Sequence, residues 1–359
     1  MRVLVLWADD TSPNLGVRAL AEGTAALIRS VWPDAEICFQ NYGSRSAPAR
    51  VGSPRVLLDD WITGRHGLRA WVRGFDVVVD SRSGDSFADI YGLDRLVAMS
   101  ALGEFVHRCG VPLVLGPQTV GPFTGRRARA LARRSLRTAD AVMTRDSVSA
   151  DHVQELGAHV DVRTTDVVFA LPVPERSGER DVVLNVSGLL WHGSPHVDPT
   201  AYRATVRALH RGLIERDRRV TLLAHVLDSS SPDNDVPAVQ ALAAEIGGKV
   251  EVVVPASLAE VRSVVASAQL VLGSRMHACL NALSVGTPAI PLSYSRKFEP
   301  LLADLGWTAQ VDLRTDPAPA EAALRHVDGA DELAGALPAM RARARTLLTS
   351  ATSALGALL

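Results

Sequence analysis

An arginine and a histidine two residues apart form the group with the clearest chemical potential in the sequence. The segment Gly273–His277 has the sequence Gly-Ser-Arg-Met-His, follows the strand-like run Leu270–Leu272 and leads into a helical segment. The guanidinium of Arg275 can hold a carboxylate or phosphate through two hydrogen bonds, and the imidazole of His277 can donate a proton. A helix N-terminus adds positive potential. The pattern therefore predicts an anion site with a proton donor beside it.

Two further cations follow other predicted strands. Arg145 comes directly after Ala141–Thr144, and Lys297, one of only two lysines in the chain, follows Ala289–Leu292. Because ligands of parallel α/β sheets bind at the carboxyl ends of the strands, both are candidates for anion binding. The residues alone leave two alternatives open, a surface salt bridge for Arg145 and a solvated surface position for Lys297.

Carboxylate and amide side chains follow three strands of the N-terminal half. Asn14 lies in the loop after the first strand, Asp85 and Asp89 lie in the loop after Val77–Val79, and Gln118 lies between two Gly-Pro pairs. Such groups exchange hydrogen bonds with hydroxyl-rich ligands, so they are candidates for binding a sugar. Asn14 also fits a simple helix cap. The carboxylates have no specific metal-ligand spacing, and we predict no metal.

The elements that position these residues alternate along the whole chain. Short β-branched runs are separated by longer segments of helical period, which is typical of βαβ units and parallel sheets. The predicted strands are Arg2–Trp7, Val77–Val79, Leu113–Leu115, Ala141–Thr144, Val182–Val186, Val220–Ala224, Val250–Val253, Leu270–Leu272 and Ala289–Leu292. The predicted helices are Val17–Ser30, Leu93–Cys109, Arg126–Arg137, Ser147–Leu156, Thr200–Arg216, Val236–Ile246, Leu258–Ala268 and Ala278–Ser284. This pattern predicts an α/β protein with two Rossmann-like domains facing a cleft.

A stretch rich in Pro, Gly and charge, Pro172–Arg180, separates the two strand–helix series. We therefore predict an N-terminal domain over 1–172 and a C-terminal domain over 180–359. The Ala- and Leu-rich tail from Ala330 onward predicts terminal helices that pack back on the first domain.

Composition excludes several classes of protein. The chain has 359 residues, of which 47% are hydrophobic and 21% charged, enough for two globular domains. Its formal net charge of −1 argues against nucleic-acid binding. The three cysteines lack metal-ligand spacing and fit reduced thiols. No export segment or long apolar run is visible, so we expect a cytoplasmic protein without an integral membrane segment. The oligomeric state is not predicted.

Taken together, the ordered motifs resemble the polysaccharide pyruvyl transferases, whose fold is of the two-Rossmann type called GT-B. The blocks that carry the resemblance are Asn14–Gly16, Gly84–Phe87 with Asp89 and Tyr91-Gly92, Gly116–Phe123, Thr144–Ser147, and Ser274–His277 continuing to Pro288. One departure concerns Arg82-Ser83, which stand where the family often has a Gly-Gly pair. We expect Arg82 to reshape the acceptor side or to add an anion contact.

The resemblance implies a transferase that moves a pyruvyl group from phosphoenolpyruvate onto two sugar hydroxyls and forms a ketal. It implies His277 as the catalytic acid, and Arg145, Arg275 and Lys297 as the donor-binding cations, with Arg145 reaching the donor site from the first domain. Asn14, Asp85, Asp89 and Gln118 are the implied acceptor-binding residues. The resemblance thus implies that the domain 1–172 is the acceptor side and the domain 180–359 the donor side. No cofactor is implied beyond phosphoenolpyruvate as donor substrate.

The implied acceptor is a sugar of a cell-envelope polysaccharide or glycan precursor. A lipid-linked acceptor would be met from the cytoplasmic side, with the protein peripheral to the membrane through the arginine-bearing segment Arg126–Arg137.

Two alternatives remain at this point. The first is a GT-B glycosyltransferase that uses a nucleotide sugar, although the segment Ala278–Leu283 lacks the carboxylate that such enzymes often use to bind the ribose. The second is a non-catalytic binding module on the same fold.

Overall fold

The computed structural model describes residues 1–43, 45–227, 233–247 and 250–358. The chain divides into two compact units. The first unit consists of Met1–Thr11, Leu20–Leu171 and Ala344–Leu359, and the second unit consists of Ser12–Ala19 and Pro172–Arg343.

Each unit contains a sheet of six parallel strands. The first sheet has the order β2-β1-β3-β4-β5-β6, and the second has the order β12-β11-β10-β7-β8-β9. The strands are β1 (Arg2–Leu6), β2 (Glu36–Gln40), β3 (Val77–Asp80), β4 (Leu113–Gln118), β5 (Ala141–Thr144), β6 (Val162–Arg163), β7 (Arg180–Asn185), β8 (Val220–Leu223), β9 (Glu251–Val253), β10 (Ala268–Gly273), β11 (Ala289–Ser293) and β12 (Val311–Asp312). The strand order reverses at β1/β3 and at β7/β10, and such switch points are where doubly wound folds bind ligands.

Helices connect these strands in both units, as parallel pairing requires. The helices are α1 (Leu15–Val31), α2 (Pro54–Thr63), α3 (Leu68–Val72), α4 (Leu93–Cys109), α5 (Arg126–Thr138), α6 (Ser147–Glu155), α7 (Gly188–His192), α8 (Pro199–Ile214), α9 (Asp235–Ile246), α10 (Leu258–Ser267), α11 (Met276–Val285), α12 (Phe298–Leu305), α13 (Pro319–Asp328) and α14 (Ala330–Gly356). Within the described ranges, no helix is both long and apolar enough to span a bilayer.

The sheet of the first unit is buried on both faces. Val3 and Val5 of β1 belong to one buried cluster, whereas Leu4 and Leu6 belong to another. Successive side chains of a strand point to opposite faces, so the two clusters lie on the two sides of the sheet. This explains why the strand is apolar without interruption from Val3 to Leu6.

The composition of the units differs from the predicted continuous domains, 1–172 and 180–359, at two places. Ser12–Ala19 groups with the second unit because Leu15 N donates to His225 O at 3.1 Å and Leu227 N donates to Pro13 O at 2.8 Å. The end of α14 groups with the first unit because Leu348, Ala351 and Leu355 complete one of its buried clusters. The predicted return of the C-terminal helices to the first domain is thus confirmed.

All nine predicted strands are present, and the predicted fold class is confirmed. The sequence analysis missed β2, β6 and β12. All three lie at sheet edges, and β6 and β12 contain only two residues each. An edge strand buries less surface and therefore has a weaker apolar pattern.

Candidate functional site

The strand ends at the β7/β10 switch point hold the loop that carries Arg275. Gly273 of β10 lies opposite Asn185 of β7. The Asn185 Oδ1 atom accepts a hydrogen bond from Arg275 N at 2.9 Å, and its Nδ2 atom donates to Leu223 O at 3.0 Å. Asn185 therefore ties the loop after β10 to β8. The sequence analysis did not single out this residue.

Arg275 is held by two carboxylates of the second unit. Its Nη2 atom lies 2.7 Å and its Nε atom 3.1 Å from Asp235 Oδ1, and its Nη1 atom lies 2.7 Å from Asp233 Oδ1. The side chain is 9% exposed. Burial acts to lower the pKa of Arg275, but the charges of Asp235 and Asp233 outweigh it and raise the pKa. The guanidinium is thus a permanent cation with a fixed orientation.

Asp235 organises several segments around this cation. Its buried carboxylate accepts hydrogen bonds from the backbone N–H groups of Gly188, His225 and Val226 at 2.7, 3.0 and 2.9 Å. It also receives the Arg275 ion pair. A buried carboxylate needs such donors to remain charged. The sequence analysis missed Asp235, because a carboxylate at the start of a helix has the usual pattern of a cap.

His277 lies in the first turn of α11, where its side chain is partly exposed. The start of α1 approaches it closely, since a Cβ atom added to Gly16 would lie 2.9 Å from His277 Nδ1 and 3.1 Å from His277 Cβ. Asn14 Oδ1 accepts a hydrogen bond from Gly16 N at 2.9 Å. Only glycine at position 16 leaves room for this imidazole.

The position of Asn14 differs from the prediction that placed it on a first-domain loop. It belongs to the second unit and caps α1 next to His277. The physical reason is its pairing with Val226, which joins this loop to the chain just beyond β8. Its acceptor-binding role stays a prediction.

A second histidine, His225, is buried beside these residues. Burial lowers its pKa well below the usual value, and the charges of His277 and Arg275 lower it further. Its Nε2 atom lies 3.3 Å from Asn281 Nδ2. His225 is therefore neutral at physiological pH. The sequence analysis missed it, because it follows a buried strand and has no polar neighbour in the sequence.

Lys297 follows β11, the strand next to β10, and precedes α12. The second unit thus brings Arg275, His277 and Lys297 to the carboxyl ends of neighbouring strands. The remaining predicted site residues, Arg145, Asp85, Asp89 and Gln118, lie in the first unit.

Arg145 follows β5 and is buried. Its Nη1 atom donates to Asp166 Oδ2 at 2.9 Å, and its Nε atom donates to Thr119 Oγ1 at 2.8 Å. Its Nη2 atom has no hydrogen-bond partner among the described residues. The alternative of a surface salt bridge is therefore wrong, since the ion pair is internal.

Gln118, at the end of β4, is also buried. Neither atom of its amide has a hydrogen-bond partner in the described part of the chain. It lies opposite Thr144 of β5, whose Oγ1 atom is also buried without a hydrogen-bond partner among the described residues. Because buried polar groups are nearly always hydrogen-bonded, these atoms mark a place that suits a polar ligand or water.

The two predicted carboxylates of the first unit differ in their surroundings. Asp85 Oδ2 accepts a hydrogen bond from the Tyr91 hydroxyl at 2.8 Å. Asp89 Oδ2 accepts from Thr124 N and Gly125 N at 2.7 and 2.9 Å. Burial acts to raise the pKa of Asp89, but these hydrogen bonds outweigh it and lower the pKa. Asp89 thus anchors the start of α5, and its acceptor role stays a prediction.

Arg82 and Ser83 have left-handed backbone conformations, with φ of 45° and 51°. Glycine favours this region, which agrees with the Gly-Gly pair that often stands here in the family that the motifs resemble. The Arg82 side chain is buried, donates from Nε to Asp80 Oδ2 at 2.8 Å and lies 4.4 Å from the centre of the Phe87 ring. Both Nη atoms of Arg82 are buried without a hydrogen-bond partner among the described residues, so the expected acceptor-side role or anion contact of Arg82 stays a prediction.

No group of three or more metal-ligating side chains is found within the described residues. The thiols of Cys38, Cys109 and Cys279 form no disulfide among these residues. Burial raises the pKa of Cys279, which makes this thiol unreactive.

Solved structures with a similar fold come from sugar-modifying enzymes. A UDP-GlcNAc 2-epimerase from Neisseria meningitidis, solved bound to UDP-GlcNAc, is 9% identical, with a TM-score of 0.56 over 98% of this chain and 100% of that chain. The glycosyltransferase SnogD from Streptomyces nogalater is 15% identical, with a TM-score of 0.53 over 100% of both chains. At this identity the likeness shows the fold alone, which is the GT-B fold.

Sequence comparison gives a more specific result. The search among curated proteins returned no similar sequence. The family model described as polysaccharide pyruvyl transferase matches residues 14–296, which is well over half of the chain and includes the loops of Asn14, Arg145, Arg275 and His277. The chain therefore belongs to the polysaccharide pyruvyl transferase family.

Proposed function

We propose that this protein transfers a pyruvyl group from phosphoenolpyruvate to two hydroxyls of one sugar and forms a ketal. The observation that supports this most is the pairing of a partly exposed His277 with the permanent cation Arg275 at the β7/β10 switch point. The reaction needs this combination, because its donor is an anion that must also receive a proton.

The donor carries a phosphate and a carboxylate, and we assign their binding to Arg275, Lys297 and Arg145. Arg275 donates from Nε and Nη2 to the Asp235 carboxylate and from Nη1 to the Asp233 carboxylate. The second N–H of Nη2 donates to the backbone carbonyl of Asp233. Among the described residues, one N–H of Nη1 has no acceptor and is available to the donor, together with the full charge. Arg145 is a further candidate cation, whose Nη2 group has no hydrogen-bond partner among the described residues.

We assign the proton transfer to His277. Its proton goes to the methylene carbon of phosphoenolpyruvate, and a sugar hydroxyl adds to the neighbouring carbon. The bond from that carbon to the phosphate oxygen then breaks, and the second hydroxyl adds to the same carbon. Of the two hydroxyl protons, one restores His277 and the other leaves with inorganic phosphate, so atoms and charge balance.

The surroundings of His277 suit this role. His225 is neutral and buried, and Arg275 is held by Asp235, so His277 is the partly exposed histidine of the cluster. The backbone at Gly16 lies close to the imidazole, and an added side chain there would displace it. A proton donor that is fixed near its acceptor atom contributes more to the rate than a mobile one.

We keep Asp85, Asp89, Gln118 and Asn14 as the candidate acceptor-binding residues. The acceptor class is a sugar of a cell-envelope polysaccharide or glycan precursor, met in the cytoplasm. No cofactor takes part, because phosphoenolpyruvate itself carries the activated group.

The test is incubation of the purified protein with phosphoenolpyruvate and a panel of cell-envelope sugar precursors, with parallel samples that contain nucleotide sugars. We expect phosphate release that depends on the acceptor, and a mass gain of one pyruvyl ketal on that acceptor. Turnover of a nucleotide sugar without use of phosphoenolpyruvate would instead establish a glycosyltransferase. Binding of phosphoenolpyruvate without turnover of any acceptor would favour a binding module.

A further inference from the structure

The helix α5 has the strongest local charge of the described chain. Its 13 residues include six arginines and no Asp or Glu. At 100° per residue, the arginines occupy an arc of about 160° on one side of the helix. The opposite side, with Ala128, Ala132 and Leu136, is buried. The helix therefore presents a continuous cationic face.

Much of this charge is not neutralised by the protein. Arg134 forms an ion pair with Glu104 at 2.7 Å. The side chains of Arg126, Arg127 and Arg137 are exposed, and none of them has a hydrogen bond or ion pair with a described residue. Cations left in solvent on one face are suited to an external anionic partner.

An exposed apolar loop lies at the start of the same helix. Ile90, Tyr91 and Leu93 are 54%, 42% and 37% exposed. Asp89, the residue before Ile90, binds Thr124 and Gly125 through its carboxylate, and α5 begins at the next residue. Apolar side chains and the cationic helix therefore lie side by side.

We propose that this docking surface, formed by Ile90, Tyr91, Leu93 and the arginines of α5, binds the first unit to an anionic lipid bilayer. A soluble polyanion would pair with the arginines and would leave the isoleucine and leucine in water. A bilayer accepts both, because lipid phosphates pair with the arginines while the apolar side chains enter the acyl region.

The surface also leads to a predicted acceptor residue. The Tyr91 hydroxyl donates to Asp85 at 2.8 Å, so the apolar loop is directly joined to the candidate sugar-binding loop. If the proposed function holds, the acceptor class that this geometry favours is a sugar on a lipid carrier. Lipid binding itself does not depend on that function.

The test is co-sedimentation of the full chain with vesicles of phosphatidylcholine, with and without phosphatidylglycerol. We expect binding to the anionic vesicles that weakens as salt is added. The triple variant Arg126→Gln/Arg127→Gln/Arg137→Gln should lose about fivefold in affinity for each arginine, or roughly a hundredfold in total. The variant Ile90→Ser/Leu93→Ser should lose about tenfold or more on the same vesicles.

Matched controls use side chains of the same type on other helices. Leu58 and Ile62 of α2 are 62% and 73% exposed, and Leu58→Ser/Ile62→Ser should bind vesicles like the wild type. The same holds for Arg343→Gln/Arg345→Gln in α14. Equal losses in the controls, or a wild-type protein that stays in the supernatant, would overturn the proposal.

Two further readouts distinguish a polyanion site from a membrane surface, and a failure of the proposed function from a failure of the docking surface. If RNA or another soluble polyanion competes fully with the vesicles, and Ile90→Ser/Leu93→Ser binds like the wild type, the surface is a polyanion site instead. Phosphate release on a water-soluble acceptor is expected to be unchanged in all these variants. A wild type that binds vesicles but transfers nothing would refute the proposed function and leave the docking surface intact.

Discussion

Replacement of Gly16 by alanine tests whether the position of His277 matters for function. Gly16 is the second residue of α1, and its backbone conformation is open to alanine. The added Cβ would lie 2.9 Å from His277 Nδ1 and 3.1 Å from both His277 Cβ and Asn14 Oδ1. The substitution therefore acts mainly on the imidazole and less strongly on the Asn14 side chain that caps the helix.

The contact distances give the size of the effect. A carbon atom and a nitrogen atom need about 3.5 Å between them, so the imidazole must shift by roughly 0.5 Å or more. A displacement of about 1 Å in a reacting group can reduce the rate about a hundredfold. We therefore expect kcat/KM to fall about tenfold to a hundredfold, or about 1.4 to 2.7 kcal/mol in the barrier. Alanine is a better helix former than glycine by about 1 kcal/mol, which offsets part of any loss of stability.

The assay is phosphate release from phosphoenolpyruvate with the acceptor found in the panel, together with the unfolding midpoint of each variant. Gly335→Ala is the matched control, because Gly335 lies in α14 and a Cβ there would meet no atom within 4 Å. We expect the control to keep wild-type activity. A Gly16→Ala variant with wild-type kcat/KM would show that the proximity of α1 to His277 has no functional role.

Three further substitutions probe the buried charges and the backbone. Asp235→Asn leaves Arg275 without its buried partner, so we expect the free energy of unfolding in urea to fall by about 3–5 kcal/mol. Arg82→Met leaves Asp80 alone in the interior. Burial raises the pKa of the Asp80 carboxyl even though the charge of Arg82 acts to lower it. Without Arg82 this pKa should rise further, so the folded state keeps a proton on Asp80. The unfolded state releases that proton above about pH 4. Stability of this variant should therefore fall as pH rises from about 5 toward neutral, by more than in the wild type. Asp217→Gly removes a left-handed aspartate, with φ of 57°, and should raise Tm by about 2–4 °C.

Each of these expectations has an outcome that contradicts it. A loss below about 1 kcal/mol in Asp235→Asn would mean that the Arg275 guanidinium finds other partners or water. A pH profile of Arg82→Met parallel to that of the wild type would mean that Asp80 is solvated. A lower Tm in Asp217→Gly would mean that the aspartate side chain makes a stabilising contact.

Local sequence was sufficient to predict the central strands. Val77–Val79 is apolar at every position because both faces of the sheet are covered. Such a short apolar run is typical of a buried strand. The edge strand β2 gave a weak pattern because most of its residues are only partly buried, and β12 has only two residues, too few for a pattern. Intrinsic preference also contributed, because the edge strand β9 is partly exposed and was nevertheless predicted from its valines.

The site was predicted in part for a similar reason. Arg275 and His277 are close in sequence, and their spacing was enough to single them out. Their supports, Asn185 and Asp235, lie 90 and 40 residues away along the chain. Contacts at such separations have no signature in a single sequence. Arg145 was found as a cation, but its burial against Asp166 depends on the fold.

The assignment of Asn14 to the second unit was not predictable from chain order either. A residue that follows β1 was expected to stay with β1. The backbone hydrogen bonds to Pro13 and Leu15 instead join this loop to the chain after β8. Tertiary pairing thus overrode sequence proximity.

The most direct test of the central claim is the reaction run in D2O with phosphoenolpyruvate and the acceptor, followed by mass spectrometry and phosphate assay. If His277 protonates the methylene carbon, the ketal methyl group will carry one solvent deuterium for each phosphate released. With His277→Gln, phosphate release and ketal formation will both be lost, while Gly335→Ala will behave like the wild type. Full turnover by His277→Gln, or phosphate release without deuterium in the product, would contradict the account.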